Sequence, residues 1–336
     1  MRKLIVAVLM IAGACVLFGW RFNFRGFAWG NEKAQDSISK SFEVGPGGLL
    51  TVQADEGSIQ VNTSDVNMVR VEVIRKAEAG TREEAESILR SLEVRFDQSG
   101  NNVRIDAQSP RRRARKHMEF RISVPRKYNV DLKTSGGSIE VADLQGEVRS
   151  KTSGGSLRFS RIEGPVLGNT SGGSISLDDI GGEVSAETSG GSISAKGIDG
   201  NVTALTSGGS ITAERIGGRL TAKTSGGSVR VDEVGGAIEA SSSGGSVTAR
   251  FSKPPQDDSQ FTTSGGSVVI TMPEGSRVNL DAEVRGGHVE TDFPVSLTVQ
   301  GKLDGSVLKG PINGGGPMLY CRTSGSNIQL RKSQGR

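Results

Sequence analysis

The sequence predicts an all-β protein, a parallel β-solenoid with 18-residue coils that follows a β-rich N-terminal cap containing one short helix. Three observations lead to this prediction. The word Thr-Ser-Gly-Gly-Ser recurs every 18 residues from Thr134 onwards, and the apolar residues between the words alternate with the period of a β-strand. The chain also has 48 glycines but only 15 aromatic residues, which is unusual for an ordinary globular core.

Residues 1–30 predict an export leader. Arg2 and Lys3 form a short cationic start, and Leu4–Trp20 is an apolar run of 17 residues. A secretory signal usually has a shorter apolar run and a membrane span a slightly longer one, so both a cleaved signal peptide and a retained N-terminal membrane anchor stay open. Either one predicts an exported protein of the cell envelope, in the periplasm, anchored to the membrane or at the cell surface.

The charge of the chain argues against a nucleic-acid partner. The net charge is +4, and four cations of the leader account for it, so residues 31–336 hold 37 basic and 37 acidic groups. A nucleic-acid-binding body would need a net basic face. Two cysteines cannot form a disulfide scaffold, and two histidines cannot form a multi-histidine metal site, so no cofactor or metal is expected.

Residues 31–133 are expected to form a β-rich capping region with one helix at about 81–92. Alternating segments such as Val69–Val73 predict half-exposed strands, and Thr81 with Glu84 forms a helix capping box. Pro110–Lys116 is predicted to be a loop of five cations. It is either a solvated hairpin tip or a contact for anionic lipid headgroups or envelope polymers, made by Arg111, Arg112, Arg113, Arg115 and Lys116.

Residues 134–250 are predicted to be regular coils, each with two short strands. Glycine is expected at the corners because it tolerates the positive φ of tight turns. The invariant glycine twelve residues after each Thr, such as Gly146, predicts the second corner. The Gly-Gly pairs of the first corner are Gly136 and Gly137, Gly154 and Gly155, Gly172 and Gly173, Gly190 and Gly191, Gly208 and Gly209, Gly226 and Gly227, and Gly244 and Gly245.

Stacking of coils buries the apolar columns, since equivalent residues of successive coils lie on one another. The sequence does not decide the handedness of the solenoid or whether its cross-section has two sides or three. Residues 251–336 are expected to form irregular coils and a C-terminal cap, with Met318–Arg322 and Asn327–Leu330 covering the far end of the rod. Cys321 alternates with apolar residues and is expected to be buried.

No catalytic residue is predicted. A serine that recurs in every coil indicates a corner rather than a nucleophile, and no nucleophile elbow or phosphate-binding loop is present. Polysaccharide-cleaving β-helices need clustered carboxylates, but Asp178-Asp179 and Asp232-Glu233 are three coils apart. The residues between them alternate in sign, which predicts a column of weak surface ion pairs. His117 and His288 have no evident partner.

Three segments resemble the bacterial putative adhesin family with β-strand repeats, the domain of unknown function 4097. They are Gly57-Ser58-Ile59-Gln60-Val61, Phe120–Pro125 leading into the Thr134 word, and Gly315-Gly316-Pro317 followed by Thr323-Ser324-Gly325. The resemblance spans about residues 41–331. It implies a β-helix-like repeat domain in exported or membrane-attached proteins, and it supplies no catalytic residues.

The sequence therefore favours a non-enzymatic exported cell-envelope protein, an adhesin or a binding or scaffold solenoid that presents a repetitive surface to a protein or glycan partner. Two alternatives stay open. One is a polysaccharide-active β-helix enzyme, and the other is a structural subunit that assembles end to end. The ligand and the oligomeric state are not determined by the sequence.

Overall fold

The computed structural model describes residues 32–109, 115–295 and 306–333. The predicted leader, residues 1–30, lies outside the described residues. Within them the chain is almost entirely β-structure with one helix, α1 Arg82–Arg90, which confirms the predicted fold class. In chain order the strands are β1 Glu32–Glu43, β2 Leu49–Ala54, β3 Ser58–Ser64, β4 Met68–Ala79, β5 Glu93–Ser99, β6 Asn102–Gln108, β7 Arg115–Pro125, β8 Asn129–Thr134, β9 Ile139–Ala142, β10 Val148–Lys151, β11 Leu157–Ile162, β12 Val166–Thr170, β13 Ile175–Ile180, β14 Val184–Thr188, β15 Ile193–Ile198, β16 Val202–Thr206, β17 Ile211–Ile216, β18 Leu220–Thr224, β19 Val229–Val234, β20 Ile238–Ser242, β21 Val247–Arg250, β22 Ser259–Thr263, β23 Val268–Met272, β24 Val278–Val284, β25 Val289–Thr291, β26 Val307–Ile312, β27 Met318–Thr323 and β28 Ile328–Lys332.

The solenoid has two sides, because each coil gives one strand to each of two 14-stranded sheets. Sheet I has the strand order β1-β4-β7-β3-β9-β11-β13-β15-β17-β19-β21-β23-β28-β25. Sheet II has the order β26-β24-β27-β22-β20-β18-β16-β14-β12-β10-β8-β2-β6-β5. At about 4.8 Å between neighbouring strands, the stack is roughly 60 Å long.

Successive coils pair in parallel and in exact step. Ile175 pairs with Ile193 in sheet I, and Val184 pairs with Val202 in sheet II. Their side chains point between the sheets and are buried. The inward position two residues after Val184 holds Ala186, so the two sheets approach closely and enclose a thin core. This arrangement explains how a chain poor in aromatic residues can still bury a continuous apolar interior.

The first coil in the chain is not the first coil in the stack. Strand β2 lies between β6 and β8, and β3 lies between β7 and β9, with parallel pairing on both sides. The β2–β3 coil is therefore inserted between two coils that come later in the sequence. Beyond it, β4 pairs with β7 and β1 pairs with β4, both antiparallel. Antiparallel strands thus end the parallel stack.

The helix α1 packs against β1 and β4 of this cap. Its N-cap is Thr81, whose hydroxyl accepts a 3.2 Å hydrogen bond from the Glu84 backbone N–H, as the capping box predicts. Ala85, Ile88 and Leu89 form its buried face. The helix therefore covers the apolar side of the sheet extension where no further coil follows.

The C-terminal end is built in the same way, and here the sequence prediction was wrong. Strands β27 and β28 do not cover the end of the rod, because β27 lies between β22 and β24 and β28 lies between β23 and β25. The outermost coil is β24–β25, and the antiparallel strand β26 follows it in sheet II. A coil inserts wherever its columns match those of its two neighbours, so sequence order does not have to equal stacking order.

Candidate binding surface

The Thr of each repeated word forms a buried hydrogen-bond ladder along the rod. The Thr170 hydroxyl donates a 2.8 Å hydrogen bond to the Gly155 carbonyl oxygen of the preceding coil and accepts one of 3.3 Å from the Gly173 N–H. The ladder stops where Ala54 and Val284 occupy the equivalent positions. Its members are Thr134, Thr152, Thr170, Thr188, Thr206, Thr224, Ser242, Thr263 and Thr323.

The corner glycines are required by close stacking and not by backbone dihedral angles, which corrects the reason given by the sequence. None of the fourteen predicted corner glycines has a positive φ. A Cβ atom on Gly155 would lie 1.9 Å from the Gly137 carbonyl oxygen, whereas a Cβ on Gly154 would have its nearest neighbour at 3.9 Å. The second glycine of each pair lets the backbones of successive coils touch, and the first glycine is exposed.

The last serine of the word forms a second ladder at the surface. The Ser174 N–H donates to the Ser156 hydroxyl at 3.3 Å, and the Ser192 N–H donates to the Ser174 hydroxyl at 3.2 Å. The repeated serine thus stabilises the stack, as the corner interpretation predicts. Together the two ladders and the stacked glycines mean that the repeated word serves folding.

The second corner carries an unusual backbone column that the sequence did not reveal. In the six coils that begin at Thr134, Thr152, Thr170, Thr188, Thr206 and Thr224, the residue nine positions after the Thr has positive φ, between 53° and 66°. Only one of the six is glycine, although glycine is the residue that adopts this conformation without steric cost. These six residues are called the left-handed column, and they are Asp143, Arg161, Asp179, Gly197, Arg215 and Glu233.

Ion pairs occur at this corner, but within the described stretch where alternating charges predict a column of them, between Asp178 and Glu233, Lys196 and Glu214 form the one pair seen. Arg161 makes two hydrogen bonds to Asp143, at 2.5 and 2.9 Å, and holds the pKa of that carboxyl below its usual value. One position earlier in each coil, Lys196 lies 3.9 Å from Glu214. These side chains are about half exposed, so each pair contributes little to stability.

The left-handed column also borders a groove, a cavity of about 640 Å³. The insertion that contains Pro254 and Pro255 forms its other wall. In the part of the chain that the structure describes, none of the charged groups lining the groove makes an ion pair within 4.0 Å. They are Asp178, Asp179, Asp199, Arg215, Glu233, Lys253 and Asp257.

The predicted cationic loop is shorter than the sequence suggested. Arg115 and Lys116 belong to strand β7, because Arg115 pairs with Glu78 and Lys116 pairs with Ala77 of strand β4. The Arg115 guanidinium lies 3.8 Å from the Glu78 carboxylate, and the Lys116 ammonium donates to the Ser109 carbonyl oxygen at 3.4 Å. The other three predicted contacts, Arg111, Arg112 and Arg113, lie outside the described residues.

His288 does have a partner, contrary to the sequence interpretation. Its Nε2 lies 2.6 Å from a carboxylate oxygen of Glu290, and this contact lowers the pKa of Glu290. His288 and Glu290 are two residues apart at the start of β25, so strand periodicity could have predicted that they lie on the same face. Both side chains are about half exposed on the outermost coil.

The described residues contain no group of three or more His, Cys, Asp or Glu side chains placed to hold a metal ion. Cys321 is buried, as predicted, and burial raises the pKa of its thiol. In residues 32–109, 115–295 and 306–333, no helix is both long enough and apolar enough to cross a membrane.

The chain matches one known family over most of its length. The model of the family described as Toastrack DUF4097 covers residues 49–326. This range includes the inserted β2–β3 coil, all the regular coils and strand β27, and it ends just before β28. No curated protein is a detectable relative of the chain.

Several solved structures are similar to the chain at low identity. A putative adhesin from Bacteroides fragilis is 11% identical, with 88% of this chain and 97% of that chain covered and a TM-score of 0.36. A putative lipid binding protein from Parabacteroides distasonis is 11% identical, with 89% and 97% covered and a TM-score of 0.33. A putative cell adhesion protein from Clostridium sporogenes is 10% identical, with 89% and 100% covered and a TM-score of 0.24. Because the identities and the TM-scores are this low, the three structures carry no argument about the function of this chain.

Proposed function

We propose that this chain, which belongs to the Toastrack DUF4097 family, is a non-enzymatic exported protein of the cell envelope. Its rigid solenoid would present a repetitive surface to a protein or glycan partner. One observation carries the proposal. The repeated residues are used for stacking, while the outward positions between them differ from coil to coil.

The outward positions support a binding role because they offer flat, polar and varied surface. On sheet II the middle outward column reads Ser185, Thr203, Thr221 and Glu239 in successive coils. Hydroxyl groups of this kind both donate and accept hydrogen bonds. A rod about 60 Å long can display such groups in fixed register over many coils.

The N-terminal end of the rod supports attachment to the envelope. Glu32, the first described residue, pairs with Ala79 at one end of the β1–β4 ribbon. Arg115 pairs with Glu78 at the same end. Residues 1–30 and the cationic loop therefore connect to one place on the rod. We infer that a retained leader would anchor the chain there, with the loop close to anionic headgroups.

The groove beside the left-handed column favours the competing proposal, a polysaccharide-active enzyme. It holds five carboxylates, but Asp179 and Glu233 are three coils apart, about 14 Å at the usual strand spacing. Catalytic carboxylate pairs of glycosidases lie roughly 5 to 9.5 Å apart. Asp199 lies between them along the rod, so it is the residue whose substitution tests this alternative best.

Two measurements test the proposed function. Fractionation of cells producing the tagged chain should place it in the envelope fraction, and deletion of residues 1–30 should move it to the cytosol. Purified chain incubated with isolated envelope polysaccharide should bind it without releasing new reducing ends. Release of reducing ends that disappears in Asp199→Asn would overturn the non-enzymatic role, and cytosolic location of the full chain would overturn the envelope role.

A further inference from the structure

The regular coil is interrupted once on sheet II, and a cavity lies at the interruption. In the regular coils, the first residue of each sheet II strand donates its N–H to a backbone carbonyl oxygen of the next coil. Leu220, for example, donates to Ala237 at 3.0 Å. In the following coil the Ile238 N–H donates instead to the Ser259 hydroxyl, at 3.3 Å. The 251–258 segment precedes Ser259 and lengthens the coil to which Ser259 belongs. A cavity of about 370 Å³ occupies the position.

A partly exposed aromatic residue, Tyr320, lines this cavity. Tyr320 follows Met318 on the outer side of strand β27, and Met318 is 42% exposed. Every other aromatic side chain in the described part of the chain is buried or packs against the core. A tyrosine ring has an apolar face and a polar hydroxyl end, so a partly exposed ring that lines a cavity can contact a bound ligand.

The Tyr320 ring is held in one orientation. The Arg322 guanidinium covers one face of the ring at 3.9 Å from its centroid. The Arg322 guanidinium is held in turn by Asp281 and Glu283. It donates hydrogen bonds of 2.8 Å to the carbonyl oxygen and to a carboxylate oxygen of Asp281, and it lies 3.3 Å from a carboxylate oxygen of Glu283. Arg322 does not line the cavity, whereas Tyr320 and Met318 do. Tyr320 therefore borders the cavity on a side that Arg322 does not cover.

Polar groups of the neighbouring strands surround the ring. Gln260 pairs directly with Tyr320 across the strands, and Glu239 pairs with Gln260. The Glu239 carboxylate is 2.5 Å from the Lys223 ammonium, and an Asp258 carboxylate oxygen accepts the Met318 N–H at 2.7 Å. The acids are thus already partnered. The site needs no counter-charge, and the Gln260 amide remains free to donate and accept within the described surroundings.

We propose that Tyr320, Met318 and Gln260 form a binding subsite for one pyranose ring of a neutral oligosaccharide. The electron-rich face of the tyrosine ring would receive the C–H face of the sugar, and Gln260 with Glu239 would bind its hydroxyls. The cavity is within the size range of small-ligand sites. This inference rests on the proposed function, because it names the class of glycan and the place where it binds.

The two tyrosines of the chain allow a direct test. In the full-length protein labelled with fluorotyrosine, Tyr128 is buried in the core and serves as an internal reference, and Tyr320 reports on the cavity. Titration with maltotetraose, cellotetraose and chitotetraose should shift the Tyr320 fluorine resonance saturably with at least one of them and leave Tyr128 unchanged. If none of the three shifts Tyr320, the subsite is overturned.

Variants separate this subsite from the general binding role. For the oligosaccharide that shifts Tyr320, Tyr320→Ala should weaken binding at least tenfold by calorimetry and Gln260→Ala about fivefold. Tyr320→Phe, which keeps the ring, should bind nearly as well as the parent. Thr203→Ala, on the same face four strands away, is the matched control. Equal binding by Tyr320→Ala and the control would overturn the subsite, whereas binding to whole envelope polysaccharide would leave the proposed function standing.

Discussion

The Thr188 hydroxyl donates a 2.8 Å hydrogen bond to the Gly173 carbonyl oxygen, which belongs to the preceding coil. The same hydroxyl accepts from the Gly191 N–H at 3.3 Å. One buried side chain therefore joins two coils and satisfies two backbone groups at the corner. The ladder continues through the inserted coils, since the Thr134 hydroxyl donates to the Gly57 carbonyl oxygen and the Thr323 hydroxyl donates to the Gly266 carbonyl oxygen. It therefore joins coils that are neighbours in space, whether or not they are neighbours in the sequence.

Removing one rung of the ladder should lower the free energy of unfolding. Thr188→Val keeps the shape of the side chain but leaves the Gly173 carbonyl and the Gly191 N–H without a partner, at a cost of about 1–3 kcal/mol. Thr188→Ser should retain most of the stability, as Ser242 does naturally with a 2.7 Å bond to Gly227. Urea unfolding followed by circular dichroism measures both. Equal destabilisation by Val and Ser would contradict a hydrogen-bonding role.

The two glycines of one corner should respond oppositely to alanine. Gly155→Ala places a Cβ 1.9 Å from the Gly137 carbonyl oxygen and should cost at least about 2 kcal/mol, because the coils must separate. Gly154→Ala has open space and no positive φ, so it should be neutral or stabilise by up to about 1 kcal/mol through the unfolded state. Thermal midpoints of the two variants give the comparison, and similar losses at both positions would refute the stacking explanation.

Sequence periodicity predicted the parts of this fold that every coil repeats. Equivalent residues such as Ile175 and Ile193 had to stack, and their spacing showed which residues lie inside. The insertion of β2–β3 was not deduced, although Gly57-Ser58-Ile59 repeats the pattern of Gly137-Ser138-Ile139, because two matching coils do not specify which lies beside which. The role of the corner glycines was misjudged since composition cannot distinguish a need for positive φ from a need for space.

The sequence did not predict the candidate sites, for a related reason. The left-handed column carries Asp, Arg and Glu where glycine would be expected, so residue type gave no signal of its backbone conformation. The cavity at Tyr320 depends on the coil being lengthened at 251–258, a change whose effect on the neighbouring strand is only visible in three dimensions. Alternation along Met318–Arg322 does place Tyr320 on the outer face, which was the one available clue.

The left-handed column predicts a penalty at Gly197. This glycine has a φ of +66°, and a Cβ there would meet its nearest atoms at an ordinary 3.7 Å, so only the backbone conformation opposes substitution. Gly197→Ala should therefore cost about 1–2 kcal/mol, and Gly197→Asn should cost less because asparagine tolerates this region. Chemical unfolding of both variants checks the order. Greater loss with Asn than with Ala would indicate a packing constraint instead.

Stability should fall at alkaline pH because of Tyr128. Burial raises the pKa of Tyr128 to about 12, above the value of about 10 for an unfolded tyrosine, and its hydroxyl donates to the Asn101 carbonyl. The native state thus holds the proton more tightly. The stabilising contribution is complete below pH 10 and is lost as the pH rises through 12. Phenolate absorbance in Tyr320→Phe isolates this titration, and Tyr128→Phe should remove the corresponding slope of unfolding free energy with pH.

The inserted C-terminal coil predicts that a truncation will damage residues that precede it. Removing residues 318–336 deletes β27 and β28, so β24 and β25 lose the strands that join them to β22 and β23. Hydrogen exchange should then show loss of protection at Val278–Val284, while β13–β18 keep theirs because solenoid coils depend mainly on their neighbours. A rod stacked in sequence order would lose only its last coil and keep β24 protected. Retained protection at Val278–Val284 would therefore reject the inserted arrangement.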